Sequence, residues 1–357
     1  MHDDLINKAL NQERLSFDEA HSLWKFPINE LMWMAHSIRL MMNPGNNVGW
    51  IVDRNVNISN ICQARCSFCN FHRTKKDKEA YVTSMDQYRM KIKELFDLGG
   101  RQLLLQGGLN PDLGLSYYKE LFSTLKLEFP ELKLHALGPP EIHFLSELEN
   151  TTYFEVLSEL KDSGLDSLPG AGAEILCDEI RSKISAAKCG SDEWLEVMRV
   201  AHRMNLPTSA TMMYGHIENR RHRTEHLLKL RDLQYEKPDG SYGFISFIPW
   251  PFQPEGTILK RRFPGGYHFI ADEYIRLIAV SRIILHNIPH IQASWLTVGF
   301  PVAQICLYSG ADDLGSIMIE ENVVSAAGAN YCSDAEGIQN AIRDAGFIPR
   351  SRNQKYE

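Results

Sequence analysis

Short runs of aliphatic and β-branched residues alternate with longer helix-periodic stretches along most of this 357-residue chain. The strand-like runs are Asn55–Ile61, Gln102–Gln106, Lys133–Leu137, Asp166–Leu168, Thr208–Tyr214, Phe244–Pro249, His290–Ser294 and Ser316–Ile319. Helical periodicity falls between and after them, at Met85–Leu98, Ser116–Phe129, Thr151–Ser163, Asp192–Met204, Arg221–Tyr235, Tyr267–Leu285, Val302–Ser309 and Ala335–Ala345. Strict alternation of this kind calls for parallel strands joined by helical crossovers. The expected fold is α/β, a (β/α)8 TIM-type barrel, with an open doubly wound sheet as the alternative. Residues 3–42 carry a helical pattern of their own and end at NPGNN, Asn43–Asn47. We therefore expect an N-terminal helical extension over 1–47 and a barrel with a polar C-terminal tail over 48–357.

Barrels of this type carry their chemistry at the C-terminal ends of the strands. At those ends the sequence places, in order, a cysteine cluster, QGG, GPPE, GAGAE, YGH, PWPF, SW and EEN. In the first run, Val56 and Ile58 alternate with Asn55, Asn57 and Ser59. A polar phase in a barrel strand suggests a wet or ligand-lined interior, or else an edge strand with one solvated face.

The cluster CQARCSFC holds Cys62, Cys66 and Cys69, three of the seven cysteines. Structural zinc sites usually recruit four ligands in separated pairs, and no second pair follows here. Iron–sulfur cubanes take one cysteine thiolate per iron, so three cysteines leave a fourth iron open. Cys177, Cys189, Cys306 and Cys332 are widely spaced, as free and mostly buried thiols would be. With a polar, acidic N-terminus, no long apolar run and no disulfide pattern, the expected compartment is the cytoplasm. The net charge of −7 argues against nucleic acid as the main partner, and the absence of an apolar span argues against a membrane.

The C-x3-C-x2-C spacing, with Phe68 before the last cysteine, resembles the radical S-adenosylmethionine enzymes. The resemblance implies a [4Fe–4S] cluster on Cys62, Cys66 and Cys69, with S-adenosylmethionine chelating the open iron. It further implies that Phe68 packs near the adenine and that Gln106, Gly107 and Gly108 approach the methionine moiety. Glu174 in PGAGAEIL would meet the cofactor's ribose hydroxyls or ammonium. The stretches from NPGNNVGW to RSRNQKY are similar to the group containing futalosine-pathway enzymes and deazaflavin synthase subunits. FIPWPFQPEGT and NIPHIQASWLTVG resemble the ring-closing branch of the futalosine route to menaquinone. That likeness implies radical cyclisation of a nucleoside-derived aromatic substrate, fed by an electron donor of flavodoxin or ferredoxin type. A sister radical enzyme and a zinc- or cluster-binding structural module are the alternatives. Trp250, Gln292, Ser294 and Trp295 are the candidate substrate residues, since aromatic faces suit a flat aryl group. Either tryptophan would serve equally as core. His216, Glu320 and Glu321 are candidate bases. Gly138 stands where the group leads us to expect serine.

Overall fold

The computed structural model describes residues 2–265, 267, 269–320 and 333–357. The N-terminal helical pattern resolves into helices His2–Leu10, Phe17–Ser22 and Ile28–Met42, with a 3-10 turn at Leu23–Lys25. Ser16 starts the second helix through a capping box with Glu19, and Pro27 sets the start of the last. These helices lie against Arg220–Glu236 and Ala271–Ile284. Trp24 Nε1 donates to Thr224 Oγ1 at 2.9 Å, and Arg276 donates to the Phe26 carbonyl at 2.6 Å.

The described strands are β1 (Asn47–Ile51), β2 (Asp53–Asn57), β3 (Gln102–Gln106), β4 (Lys133–Ala136), β5 (Thr208–Tyr214), β6 (Phe244–Pro251), β7 (His290–Ile291), β8 (Asp313–Ser316) and β9 (Ile348–Ser351). They form three-stranded sheets in the orders β8-β1-β9, β2-β3-β4 and β5-β6-β7. Every pairing is parallel. Isolated parallel bridges at His135–Ser167, Leu168–Thr208 and Gln292–Asp313 run between the sheets, and a single residue, Val52, separates β1 from β2. The architecture is thus α/β with parallel sheets and helical crossovers.

Several expectations need correction. Asp166–Leu168 makes only bridges, because Pro169 and Gly170 follow at once and the Asp166 carboxylate turns back to Lys126 Nζ at 2.5 Å and the Leu134 N–H at 2.7 Å. The eighth strand lies three residues earlier than expected, at Asp313–Ser316. Its aspartate reads as loop in the sequence but is buried in an ion pair with Arg352, at 2.5 and 2.8 Å. The polar tail adds β9 against β1. Helices Pro139–Glu149 and Asp178–Ile184 fill stretches to which the sequence pattern assigns no element. In the first of these, Pro139 and Pro140 occupy opening positions where a missing N–H costs nothing.

β2 lies at the edge of its three-stranded sheet, but all five of its residues are buried, so its polar phase is not a solvated face. Cys177, Cys189 and Cys306 are free and buried as expected, and Cys332 lies outside the described residues. No helix among the described residues is long and apolar enough to cross a membrane.

Candidate active site

One cavity of about 410 Å³ is lined by the ends of the strands and the loops that follow them. Asp53, Asn55 and Asn57 supply its β2 wall, as period-two geometry requires of alternate residues. Asn55 Oδ1 is buried there with no hydrogen-bond partner among the described residues. A buried acceptor left open on a cavity wall suits a ligand that brings a donor.

Cys62, Cys66 and Cys69 line the cavity with Phe68. The backbone around them is tied on three sides. The Leu109 N–H donates to Cys62 Sγ at 3.3 Å, the Ser67 N–H to Ile184 O at 2.8 Å, and the Leu259 N–H to Ser67 O at 2.7 Å. QGG continues β3 into this loop, with the Gly108 N–H on Ser59 O at 2.8 Å. A Cβ at Gly108 would stand 2.1 Å from Ile61 O and 2.7 Å from Cys62 Cβ, so only glycine fits against the cysteine segment. Among the described residues, no three His, Cys, Asp or Glu side chains converge on a single-ion site. A cubane does not ask for that, because each thiolate takes a separate iron. Three thiols spread along one cavity wall, with room beside them for a ligand, fit such a cluster. Burial pushes the Cys66 thiol up to about 12, against the pull of nearby Lys188, so loading a metal there releases a proton.

Glu174 lines the same cavity and is 5% exposed. Its φ of 45° is a left-handed value uncommon for a side-chain-bearing residue. Its carboxylate accepts from Lys188 Nζ at 2.9 Å. Lys188 also sits 5.5 Å from the centre of the Phe68 ring. Burial opposes charge on this ammonium, but the Cys66 sulfur and the Glu174 and Glu141 carboxylates prevail and raise its pKa. Neither Lys188 nor Glu141 was singled out as a site residue from sequence. SAAKCGSD falls between the assigned elements, and the acid of GPPE gives no signal beyond its place at a strand end.

Burial pushes the Glu141 carboxyl up to about 7, although Lys188 and the backbone N–H groups of Glu141, Gly138 and Gly107 pull it down. The folded protein therefore keeps a proton that the unfolded chain gives up above its ordinary value of 4.5. Cofactor-free protein should lose stability as pH rises through that window, by up to about 3 kcal/mol from this group. Thermal melts of Glu141→Gln should gain on wild type between pH 4.5 and about 7; parallel melting profiles would contradict this. A Cβ on Gly138 would lie 3.2 Å from Glu141 Oε2 and 3.1 Å from Ala171 Cβ. The missing serine hydroxyl would thus have faced this carboxylate.

Trp250, Gln292, Ser294 and Trp295 all line the cavity. Trp295 is 2% exposed, donates from Nε1 to Ser316 O at 3.0 Å and stacks on Phe300. Gly315, at φ +74°, leaves the space that the Gln292 amide occupies.

His216 does not join them. Gly215, at φ +82°, reverses the chain after β5, so the imidazole folds back with Nε2 3.1 Å from Met213 O. Its Nδ1 lies 3.2 Å from Glu218, and its ring meets Phe252 edge-on. Phe252 lines the cavity, and His216 stands behind it. Glu320 also lies off the cavity lining, paired with Arg54 Nε at 3.0 Å and with Lys91. Glu321 lies outside the described residues.

The loop that follows β2 thus places three cysteines on a cavity that also holds a buried lysine–carboxylate pair. The radical SAM superfamily model matches residues 56–230, and the CofH/MqnC C-terminal region model matches residues 241–357. The chain is 39% identical to the cyclic dehypoxanthine futalosine synthase of Streptomyces coelicolor, over 99% of this chain and 88% of that one. It is 36% identical to a 5-amino-6-(D-ribitylamino)uracil–L-tyrosine 4-hydroxyphenyl transferase of Methanosarcina barkeri, over 99% and 93%. Among solved structures, methylornithine synthase superposes with a TM-score of 0.72 at 19% identity, covering 98% of each chain. The chain belongs to the radical SAM superfamily and, within it, to the branch that carries the CofH/MqnC C-terminal region.

Proposed function

We propose that this chain converts dehypoxanthine futalosine to its cyclic form in menaquinone biosynthesis. The observation that carries this reading is the shared cavity. Cys62, Cys66, Cys69, Glu174 and Lys188 line it together with Trp250, Gln292, Ser294 and Trp295, so cofactor and aryl substrate would share one cavity. The similarity to the Streptomyces synthase over nearly the whole of both chains supports the same substrate.

In this reading the parallel sheets belong to a (β/α)8 barrel over 48–357, and residues 1–47 brace it from outside. Cys62, Cys66 and Cys69 would hold a [4Fe–4S] cluster beside S-adenosylmethionine, and the bound pair would supply a 5′-deoxyadenosyl radical for removal of the ribose C4′ hydrogen. Closure of the substrate on its aryl ring, with loss of one further electron and one proton, would give a product two hydrogens lighter. Lys188 neutralises the methionine carboxylate. Glu174 and Glu141, with the backbone of Gln106, Gly107 and Gly108, hold the ammonium and ribose, and Phe68 covers the adenine. Trp250 and Trp295 confine the aryl ring, and Gln292 and Ser294 bond its polar substituents. Fixing radical and ring in one pocket is the protein's main contribution to rate. His216 acts by positioning Phe252 rather than by taking the proton.

The test is anaerobic incubation of reconstituted enzyme with S-adenosylmethionine, reductant and each candidate substrate. We expect dehypoxanthine futalosine to give a product two hydrogens lighter, with 5′-deoxyadenosine beside it. Turnover of 5-amino-6-(D-ribitylamino)uracil with tyrosine, and none of dehypoxanthine futalosine, would overturn the assignment.

A further inference from the structure

The overall charge of −7 conceals a local reversal. Residues 62–80 and 255–262 together carry eight basic and three acidic side chains, so the rest of the chain is more acidic than the total suggests. These two segments are adjacent in space because both are fastened to the cysteine loop. The Cys62 N–H donates to Arg73 O at 3.1 Å and the Arg73 N–H to Asn60 O at 2.7 Å. On the other side, Asn70 Nδ2 donates to Glu255 O at 2.7 Å, and the Leu259 N–H holds Ser67 O.

The three acidic residues are already engaged: Glu79 pairs with Arg73, Glu255 with Lys260, and Asp77 accepts from Thr74. Arg65, Lys76, Lys78, Arg261 and Arg262 are exposed, and none pairs with a carboxylate among the described residues. Arg65 projects from within the cysteine motif itself, at φ 47°. Five unpaired cations on one rim of an otherwise acidic molecule make a strong local field. The field is centred on the loop that would hold the cluster.

The geometry points to this rim as the docking face of an acidic one-electron carrier protein that reduces the cluster. The inference rests on the cluster assignment above and is independent of the substrate. One electron passes from the reduced carrier to the oxidised cluster, and no bond or proton is exchanged. Opposed charges would speed encounter and set orientation, and salt would screen both effects.

The test uses cluster-loaded enzyme with a reduced acidic flavodoxin as probe. Stopped-flow absorbance would follow cluster reduction, and calorimetry would follow binding of the oxidised flavodoxin, each at low and high salt. Wild type should lose about tenfold or more in both reduction rate and affinity at high salt. Lys76→Glu/Lys78→Glu/Arg261→Glu/Arg262→Glu should be slow and weak-binding at all salt concentrations, with iron content and dithionite-driven 5′-deoxyadenosine formation unchanged. Adding Arg65→Glu should deepen the defect. Equal rates and salt slopes in wild type and variant would overturn the proposal. So would a wild type that binds single-stranded RNA through this rim and does not bind the flavodoxin. Loss of the dithionite-driven reaction in wild type would instead count against the cluster assignment.

Discussion

Cys66→Ala should purify as a folded protein that holds almost no iron and makes no 5′-deoxyadenosine. Cys66 is 4% exposed and packs with Ala64 and Leu109 beneath the other two cysteines. Alanine keeps a small apolar group there, and losing one sulfur from a core of this size costs about 1 kcal/mol. The fold is held elsewhere, by the paired strands and the cluster-independent ties of Ser67 to Ile184 and Leu259. The chemical loss is complete, because two thiolates cannot hold three irons of a cubane. Iron and sulfide analysis with far-UV circular dichroism checks both halves. A variant that retains iron and cleaves S-adenosylmethionine would remove Cys66 from the ligand set.

Lys188→Met should weaken both the apoprotein and its hold on S-adenosylmethionine. Lys188 is the cation beside two carboxylates, Glu174 and Glu141, that are each less than a tenth exposed. Removing it leaves buried negative charge without a partner, at a cost of about 3 kcal/mol or more. Part of that cost is relieved when Glu141, already raised towards neutrality, keeps its proton. A ligand carboxylate beside Lys188 would lose that counter-charge, so affinity should fall about a hundredfold. Lys188→Arg should restore stability more fully than binding, because a planar guanidinium keeps the charge but not the ammonium's compact shape. Melting curves and equilibrium binding of S-adenosylmethionine read the two effects separately. Unchanged binding in Lys188→Met would place the methionine carboxylate elsewhere.

How much of this could be read from sequence differs from element to element. Gln102–Gln106 and Thr208–Tyr214 have the same bounds in the sequence reading and in the structure. Both are compact runs with few turn-forming residues, and both pair along their whole length. Two of the strands that sequence reading missed or displaced, β8 and β9, are tied by charge, whereas β1 carries none. Asp313 and Arg352 mark loop and tail when read singly, yet each satisfies the other in the interior. That pairing spans 39 residues and leaves no local pattern. The cysteine loop, QGG, Glu174 and the two tryptophans converge on one cavity as their strand-end positions imply. His216 has an equally good position in sequence, but one left-handed glycine turns it behind Phe252. Glu320 fails for a different reason: with the eighth strand ending at Ser316, it falls beyond the strand end and pairs with Arg54 and Lys91. Lys188 is the reverse case, a residue between the assigned elements in sequence that becomes the electrostatic centre of the cofactor end.

The most direct measurement supplies dehypoxanthine futalosine deuterated at the ribose C4′ to anaerobic, reduced enzyme and weighs both products. The proposed reaction predicts one deuterium in 5′-deoxyadenosine and a cyclic product that has lost the label. Unlabelled 5′-deoxyadenosine, with deuterium retained in the recovered nucleoside, would contradict it.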